Sequence, residues 1–515
     1  MTEEESKKVS FRSCGSNEEY LAFEQALGPN GENGFAVFYE MDNEVKFQTE
    51  FEDLEETREY HPLEMALWPL AKFPNNVYRI SSVLDAKGLF EEVRKFIYAY
   101  VELPHETLYD IAALWVMASY LPEKFESIPY LAFIGPRDSG KTRALECLWQ
   151  LSYRAVLSPS FSSSALFRTI QKYGPTLCLD EAEIYGSEQK NEAIAVLNAG
   201  YRKGQFVIRV NADLGGIDCF SVFGFKALAS TNVFVPSLES RAIIVNMRRN
   251  VRDIPLFLDL EKASNLRLML LVYRFNVLRE KLSVLDREKV LGYLPTTHGR
   301  IAELFYPLIA VAPSEEIRQK VSEYARQVYV RRLEEERAST EAEIVQVVLS
   351  LADKVEGSKL TIEAITEAFN QGKPEKQQWN PRSIGRLLKR LGFSQTRIGK
   401  KGQRAVFYEK DLIDYLAKRY GPLEKTSEMS ETSVGMERYV KGEADISEVS
   451  DVSFKGVGLD DLASVYWKEE ALTEKECGVC GYVRPTVWEA VTTKGQVIAI
   501  CEDCVREYQK RRENV

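Results

Sequence analysis

The chain has 515 residues, 45% of them hydrophobic and 28% charged, with a net charge of −10. That length holds three or four domains, and the acidic balance excludes nucleic-acid binding by bulk attraction, so any such contact must come from local basic patches. Of the 8 cysteines, four are scattered (Cys14, Cys147, Cys178, Cys219) and four are paired near the C-terminus, which is not a secreted disulfide framework.

Residues 1–85 read as a small α+β domain. The first ten residues, Met1–Ser10, are charged and lack the apolar run of a leader, which predicts a cytoplasmic protein. Gly34–Glu40 and Glu44–Phe51 alternate apolar and polar residues about the turn Met41-Asp42-Asn43, the pattern of a hairpin. Over 86–130 the pattern turns helical. Leu89, Val93, Ile97 and Val101 share one helix face, and His105–Leu121 is a second, strongly apolar helix. Both are expected to pack against the domain that follows.

Residues 131–250 carry the chemistry. Leu131–Ile134 is an apolar strand that runs into Gly135-Pro136-Arg137-Asp138-Ser139-Gly140-Lys141-Thr142, and a helix follows over Arg143–Leu151. This is G-x-x-x-x-G-K-[ST] in its proper setting, a P-loop. Gly135 and Gly140 let the backbone curl so that successive N–H groups face phosphate oxygens, and the helix N-terminus adds partial positive charge. Lys141 would reach the β- and γ-phosphates of ATP, and the Thr142 hydroxyl would ligate Mg²⁺. Asp138 stands at a variable position and should point outward.

Arg154–Ser158 reads as a short strand, and Ser162–Ser164 caps a helix over Ala165–Tyr173. The apolar run that starts at Pro175 then ends in Asp180-Glu181. Asp180 would hold Mg²⁺, directly or through water, and Glu181 would act as general base on the attacking water. A helix over Lys190–Gly200 leads to a strand at Gln205–Val210. The strand Phe225–Thr231 is tipped by Asn232, which suits a hydrogen bond to the γ-phosphate and the lytic water. Arg241 sits just before the strand Ala242–Met247. Taken alone, it reads as surface charge.

These four elements in this order resemble the AAA+ ATPases. Within them the chain resembles the helicase modules of plasmid, viral and integrated-element replication proteins, distantly similar to minichromosome maintenance helicases. The resemblance covers about 130–250 and a helical lid. It implies Asn232 as a sensor residue and Arg241 as an arginine finger that reaches a neighbouring subunit's γ-phosphate. A finger acting only in trans implies a homo-oligomeric ring, a hexamer. The strands around Gln205–Phe225 would then hold a hairpin in the ring's channel, with Arg202, Lys203 and Arg209 as its DNA contacts.

The lid, 251–337, is expected to hold helices at Leu256–Ala263, Leu266–Lys281 and Gly299–Val311, then a charged connector at Ile317–Arg337. Its most apolar run, Leu266–Leu278, is interrupted by Arg267 and Arg274, so no membrane span is expected. Arg267, Arg274 and Arg300 are candidates for a second sensor, Arg300 first. Residues 338–420 follow the order helix, helix, basic helix, hairpin, that of a winged helix. Lys376–Lys410 holds ten Lys or Arg against Glu409, a local +9, which is the footprint of a phosphate-backbone contact. Arg382, Arg386, Lys389 and Arg390 lie on or near its recognition helix, and Lys400, Lys401 and Arg404 lie in the wing. The fold also serves protein contacts.

Residues 421–472 read as an acidic linker. In 473–515, Cys477-x-x-Cys480 and Cys501-x-x-Cys504 have the spacing of a structural Zn²⁺ ribbon, with a redox dithiol as the alternative. The expected architecture is therefore α/β: an AAA+ core with a helical lid, a winged helix and a zinc ribbon. The expected function is an ATP-dependent DNA helicase or translocase of a replication system. Replication partners would bind through the N-terminal domain or the ribbon. The rivals are an ATP-switched DNA-binding initiator that does not unwind, and a protein-remodelling ATPase.

Overall fold

The computed structural model forms two units, Met1–Pro422 and Leu423–Val515. In the first it describes residues 8–11, 14–17, 21–39, 44–53, 58–64, 66–75, 77–79, 85–159, 162–180, 187–211, 216–278, 284–398 and 402–420. In the second it describes 462–467, 473–476, 483–486, 488–492 and 497–500.

At the N-terminal end, Cys14–Asn17, Leu21–Leu27, Asn33–Tyr39, Glu44–Gln48 and Val77–Arg79 form an antiparallel sheet in that order. The expected hairpin is its centre. Successive residues Phe35, Ala36, Val37 and Phe38 are all buried, so both faces of that strand are covered. Phe23 meets Phe35 edge-on at 5.2 Å, and Phe38 stacks on Phe275 of the lid at 5.4 Å. Glu24 pairs with Arg154 at 2.6 Å and approaches Arg274 at 3.6 Å. One apolar core therefore runs from this sheet through the central parallel sheet into the helices of 260–337.

Helices Ala86–Tyr100 and Glu106–Ser119 follow. The Asp85 carboxylate caps the first by accepting from the Gly88 N–H. The second is buried on every side from Leu108 to Ser119, and its Trp115 Nε1 donates to the Pro129 carbonyl at 2.7 Å.

The central sheet has five parallel strands, in spatial order Val156–Ser158, Leu177–Leu179, Lys226–Ser230, Tyr130–Ile134 and Ala242–Asn246. Parallel strands buried on both faces need continuous apolar sequence, and YLAFI and AIIVN supply it. Their carboxyl ends share one edge, where ligands of open α/β sheets bind. Helices Lys141–Leu151, Ser163–Tyr173 and Ser187–Ala199 connect or flank the strands.

Residues 251–337 differ from expectation in two respects, the first being an additional short helix, Arg287–Tyr293. A single helix, Leu260–Leu278, replaces the two expected at Leu256–Ala263 and Leu266–Lys281. Asp259 sets its start by accepting from the Lys262 N–H at 2.9 Å. Within the helix Ser264 and Asn265 carry no break, because neither Gly nor Pro interrupts the sequence. Gly299–Val311 and the 23-residue Glu315–Arg337 complete this layer. Among the described residues no helix is long and apolar enough to cross a membrane.

Residues 340–420 have their own core, including Ile344, Ile365, Ile384, Leu388 and Val406. Helices Thr340–Ser350, Ile362–Asn370 and Pro381–Arg390 pack with a three-stranded antiparallel sheet of Lys359–Thr361, Gln403–Phe407 and Gln395–Ile398. Asn380 caps the third helix, with Pro381 at its first position.

In the second unit Leu462–Trp467, Trp488–Thr492 and Val497–Ile500 form one antiparallel sheet, and Thr473–Glu476 pairs with Val483–Thr486. The first of these strands comes from the stretch read as linker. Cys477, Cys480, Cys501 and Cys504 lie outside the described residues.

Candidate nucleotide site

The Gly135–Thr142 loop leaves Tyr130–Ile134, the strand beside the central one, and enters the helix Lys141–Leu151. Gly135 has no room for a side chain. A Cβ there would lie 2.5 Å from the Met247 carbonyl oxygen and 2.9 Å from Ser139 Oγ. Gly140 takes φ 81°, in the left-handed region, and Asp138 takes φ 62° with its side chain exposed. No side chain caps the helix that starts at Lys141, so its first N–H groups remain for an anion. Lys141 Nζ donates to the loop's own carbonyls, Gly135 at 2.9 Å and Pro136 at 2.7 Å. Ser139 is 1% exposed, and its hydroxyl has no partner among the described residues. A tight cradle with an orphaned hydroxyl and a lysine folded onto carbonyls fits a polyphosphate. Arg137 and Thr142 are exposed at its rim.

Two neighbouring strands end at the same edge. Asp180 directly follows Leu177–Leu179, and its N–H donates to the Ser158 carbonyl at 3.2 Å. Glu181 lies outside the described residues. Asn232 follows Lys226–Ser230, and its N–H donates to Ser230 Oγ at 3.0 Å. The strand that carries Asn232 lies between the Asp180 strand and the glycine-loop strand. The fold thus gathers 135–142, Asp180 and Asn232.

It places Arg241 elsewhere. The Arg241 carbonyl accepts from the Tyr130 N–H at 3.1 Å, at the start of the sheet and a strand's length from the loop. Arg241 Nη1 donates to the Ser237 carbonyl, its Nε has no partner among the described residues, and its guanidinium lies 6.0 Å from the Tyr201 ring. Burial, with Arg300 nearby, lowers its pKa. Arg300 lies 4.7 Å from the same ring and pairs with Glu303 at 2.6 Å. Of the other second-sensor candidates, Arg267 donates to Gln150 and Leu70, and Arg274 to Tyr120 and Glu123. Both serve internal packing.

Phe206–Asn211 and Gly216–Ser221 form an antiparallel hairpin. Its outward face is apolar: Phe206, Ile208, Val210 and Ile217 are exposed, together with Cys219. Arg209 is on the other face, opposite Asp218, 3.6 Å from Glu192 and over the Phe167 ring at 5.3 Å. Arg202 and Lys203 lie in the turn before the hairpin. Arg202 is 3.7 Å from Glu303, and Lys203 donates from its backbone to Glu126 and from its side chain to Glu123.

In the 340–420 region, Arg382, Arg386, Lys389 and Arg404 are exposed, and Arg390 pairs with Glu341 at 2.9 Å. Lys400 and Lys401 lie outside the described residues. Arg397 is exposed directly across the hairpin from Arg404. Facing like charges destabilise a strand pair unless an anion joins them. Sequence reasoning counted Arg397 in the local charge but missed this pairing, which only the register reveals. It also missed Met247 and Ser230, which pack on or bond Gly135, and the fully buried Lys226 at the far end of the Ser230 strand.

No family model matches the chain, and no curated protein matches it in sequence. Among solved structures the chain is similar to an active helicase, the Cch of SCCmec type IV. The TM-score is 0.33 and the identity 10%, over 64% of this chain and 71% of that one. It is also similar to the apo C-terminal region of NrS-1 in two structures, with TM-scores of 0.31 and 0.32 and identities of 10% and 11%. Each covers 75% of this chain and 96% of the other. Likeness this distant carries no weight for function, which rests on the site.

Proposed function

We propose that the chain is an ATP hydrolase that drives movement along DNA, a helicase or translocase of a replication system that works as an AAA+ ring, hexameric as the resemblance implies. One observation carries this: the glycine loop, Asp180 and Asn232 share one sheet edge, while Arg241 stands at the other. In the cradle, Lys141 exchanges two loop carbonyls for phosphate oxygens, and the backbone N–H groups from Gly135 to Thr142 hold the rest. Thr142 and Asp180 would hold Mg²⁺, which would supply charge neutralisation on the phosphates. Glu181 takes a proton from the attacking water, which Asn232 orients. Arg241 is too far from its own loop to act there, so it serves the triphosphate of a neighbouring copy.

The DNA contacts are assigned to the winged helix, with Arg382, Arg386, Lys389, Arg390 and Arg397 beside Lys400, Lys401 and Arg404. Arg202, Lys203 and Arg209 sit at the root and packed face of the channel hairpin, so they act there only if DNA reaches that depth. Cys477, Cys480, Cys501 and Cys504 would close a tetrahedral Zn²⁺ site with a structural role. Strand displacement on a forked duplex tests the proposal. Glu181→Gln should bind ATP yet displace nothing, and wild type should unwind. ATP binding by wild type without unwinding would leave the switched initiator.

A further inference from the structure

Lys226 opens the strand Lys226–Ser230 and is 0% exposed, yet no carboxylate pairs with it among the described residues. Its ammonium is held by three carbonyls: Gly224 at 2.9 Å, Val222 at 3.0 Å and Gly200 at 3.5 Å. The Tyr130 ring lies against it at 5.1 Å. These carbonyls flank the 206–221 hairpin. Gly200 precedes the turn that leads in, and Val222 and Gly224 follow the strand that leads out. The Gly224 N–H donates to the Gly200 carbonyl at 3.3 Å and closes the ring of contacts. Gly200 is required there, because a Cβ would lie 2.3 Å from the Val222 oxygen and 2.5 Å from Lys226 Nζ. Both legs of the hairpin are therefore rooted on one lysine amino group.

The same strand ends at the nucleotide edge. The Ser230 carbonyl accepts from the Gly135 N–H at 3.3 Å, and Ser230 Oγ accepts from the Asn232 N–H. Between the two anchors the strand is wholly buried and is paired on both sides. It spans about 13 Å and has no slack. Tyr130, which packs on the ammonium, is the first residue of the glycine-loop strand, and its hydroxyl donates to the Leu197 carbonyl at 2.7 Å. Two strands that end at the candidate nucleotide site thus begin at Lys226.

We propose that Lys226 is a positioning residue, a latch that makes the 206–221 hairpin follow the occupancy of the glycine loop. The inference rests on the nucleotide assignment above. A buried ammonium is costly, and an apolar side chain of similar length fills the same space, so the cation serves geometry rather than stability. Lys226→Met should fold and bind nucleotide but uncouple the hairpin. If the methionine variant does not fold, Lys226→Gln takes its place: it can keep a donor for one carbonyl but not hold all three, and its hairpin response should be several-fold weaker than wild type, a full response refuting the latch.

The test is hydrogen exchange of peptides covering 206–221, with and without a non-hydrolysable ATP analogue and magnesium, alongside analogue affinity. In wild type the analogue should change hairpin exchange several-fold. In Lys226→Met the affinity should persist and the hairpin response should vanish. A variant hairpin that responds like wild type refutes the latch alone, as does a wild-type hairpin indifferent to bound analogue. If wild type does not bind the analogue, the nucleotide assignment fails, and the latch fails with it.

Discussion

The backbone N–H of Gly135 donates to the carbonyl of Ser230 at 3.3 Å, so the glycine loop is tied to the strand that presents Asn232. Ser230 also holds the Asn232 backbone through its hydroxyl. Ser230→Ala should keep the first contact and lose the second. Turnover of ATP should then fall by about tenfold, as expected when one hydrogen bond of about 1.4 kcal/mol stops positioning a group that acts in the transition state. Steady-state kinetics check this, and a rise in KM with unchanged kcat would contradict it.

Arg241 stands at the sheet edge opposite the loop, and that predicts complementation. Arg241→Ala and Glu181→Gln should each be inactive alone. If the proposed ring forms, the mixture should contain interfaces in which an intact Glu181 faces an intact Arg241 from the next copy. ATPase activity of the mixture should exceed the sum of the two. A mixture no more active than its parts would mean that Arg241 acts within its own chain or not at all.

Burial lowers the Lys226 pKa from 10.5 to about 7. Among the described residues the titratable group packed on it is Tyr130, whose phenol burial keeps protonated. Below about pH 7 the lysine is protonated in both folded and unfolded chains. Between 7 and 10.5 the unfolded chain binds more protons, so stability attributable to this group rises with pH. Thermal melts across that range should show wild type gaining on Lys226→Met as pH increases. Parallel curves would contradict the burial of a lone ammonium.

Contiguous geometry is legible in the sequence: the apolar run before Gly135, the helix after Gly140 and the apolar run before Asp180 give the strand, loop, helix and strand end without a fold. The hairpin face is not. Arg209 was expected to meet DNA, but side chains alternate along a strand, and only packing against Phe167 decides which set points outward. In isolation Ser264 and Asn265 look like a helix boundary, whereas burial of Ala263, Leu266 and Leu270 carries the single helix through them. Lys226 was invisible for a related reason, since an isolated lysine in sequence reads as exposed. The relation of Arg397 to Arg404 depends on register, which no local pattern encodes.

The most direct measurement is the ATPase rate of purified protein with and without single-stranded and double-stranded DNA, with its mass in solution measured under the same conditions. Nucleotide should assemble the chain into a ring-sized oligomer, and DNA should accelerate turnover, while Lys141→Ala shows none. A protein that stays monomeric with ATP, and whose turnover ignores DNA, would contradict a motor that works between adjacent copies.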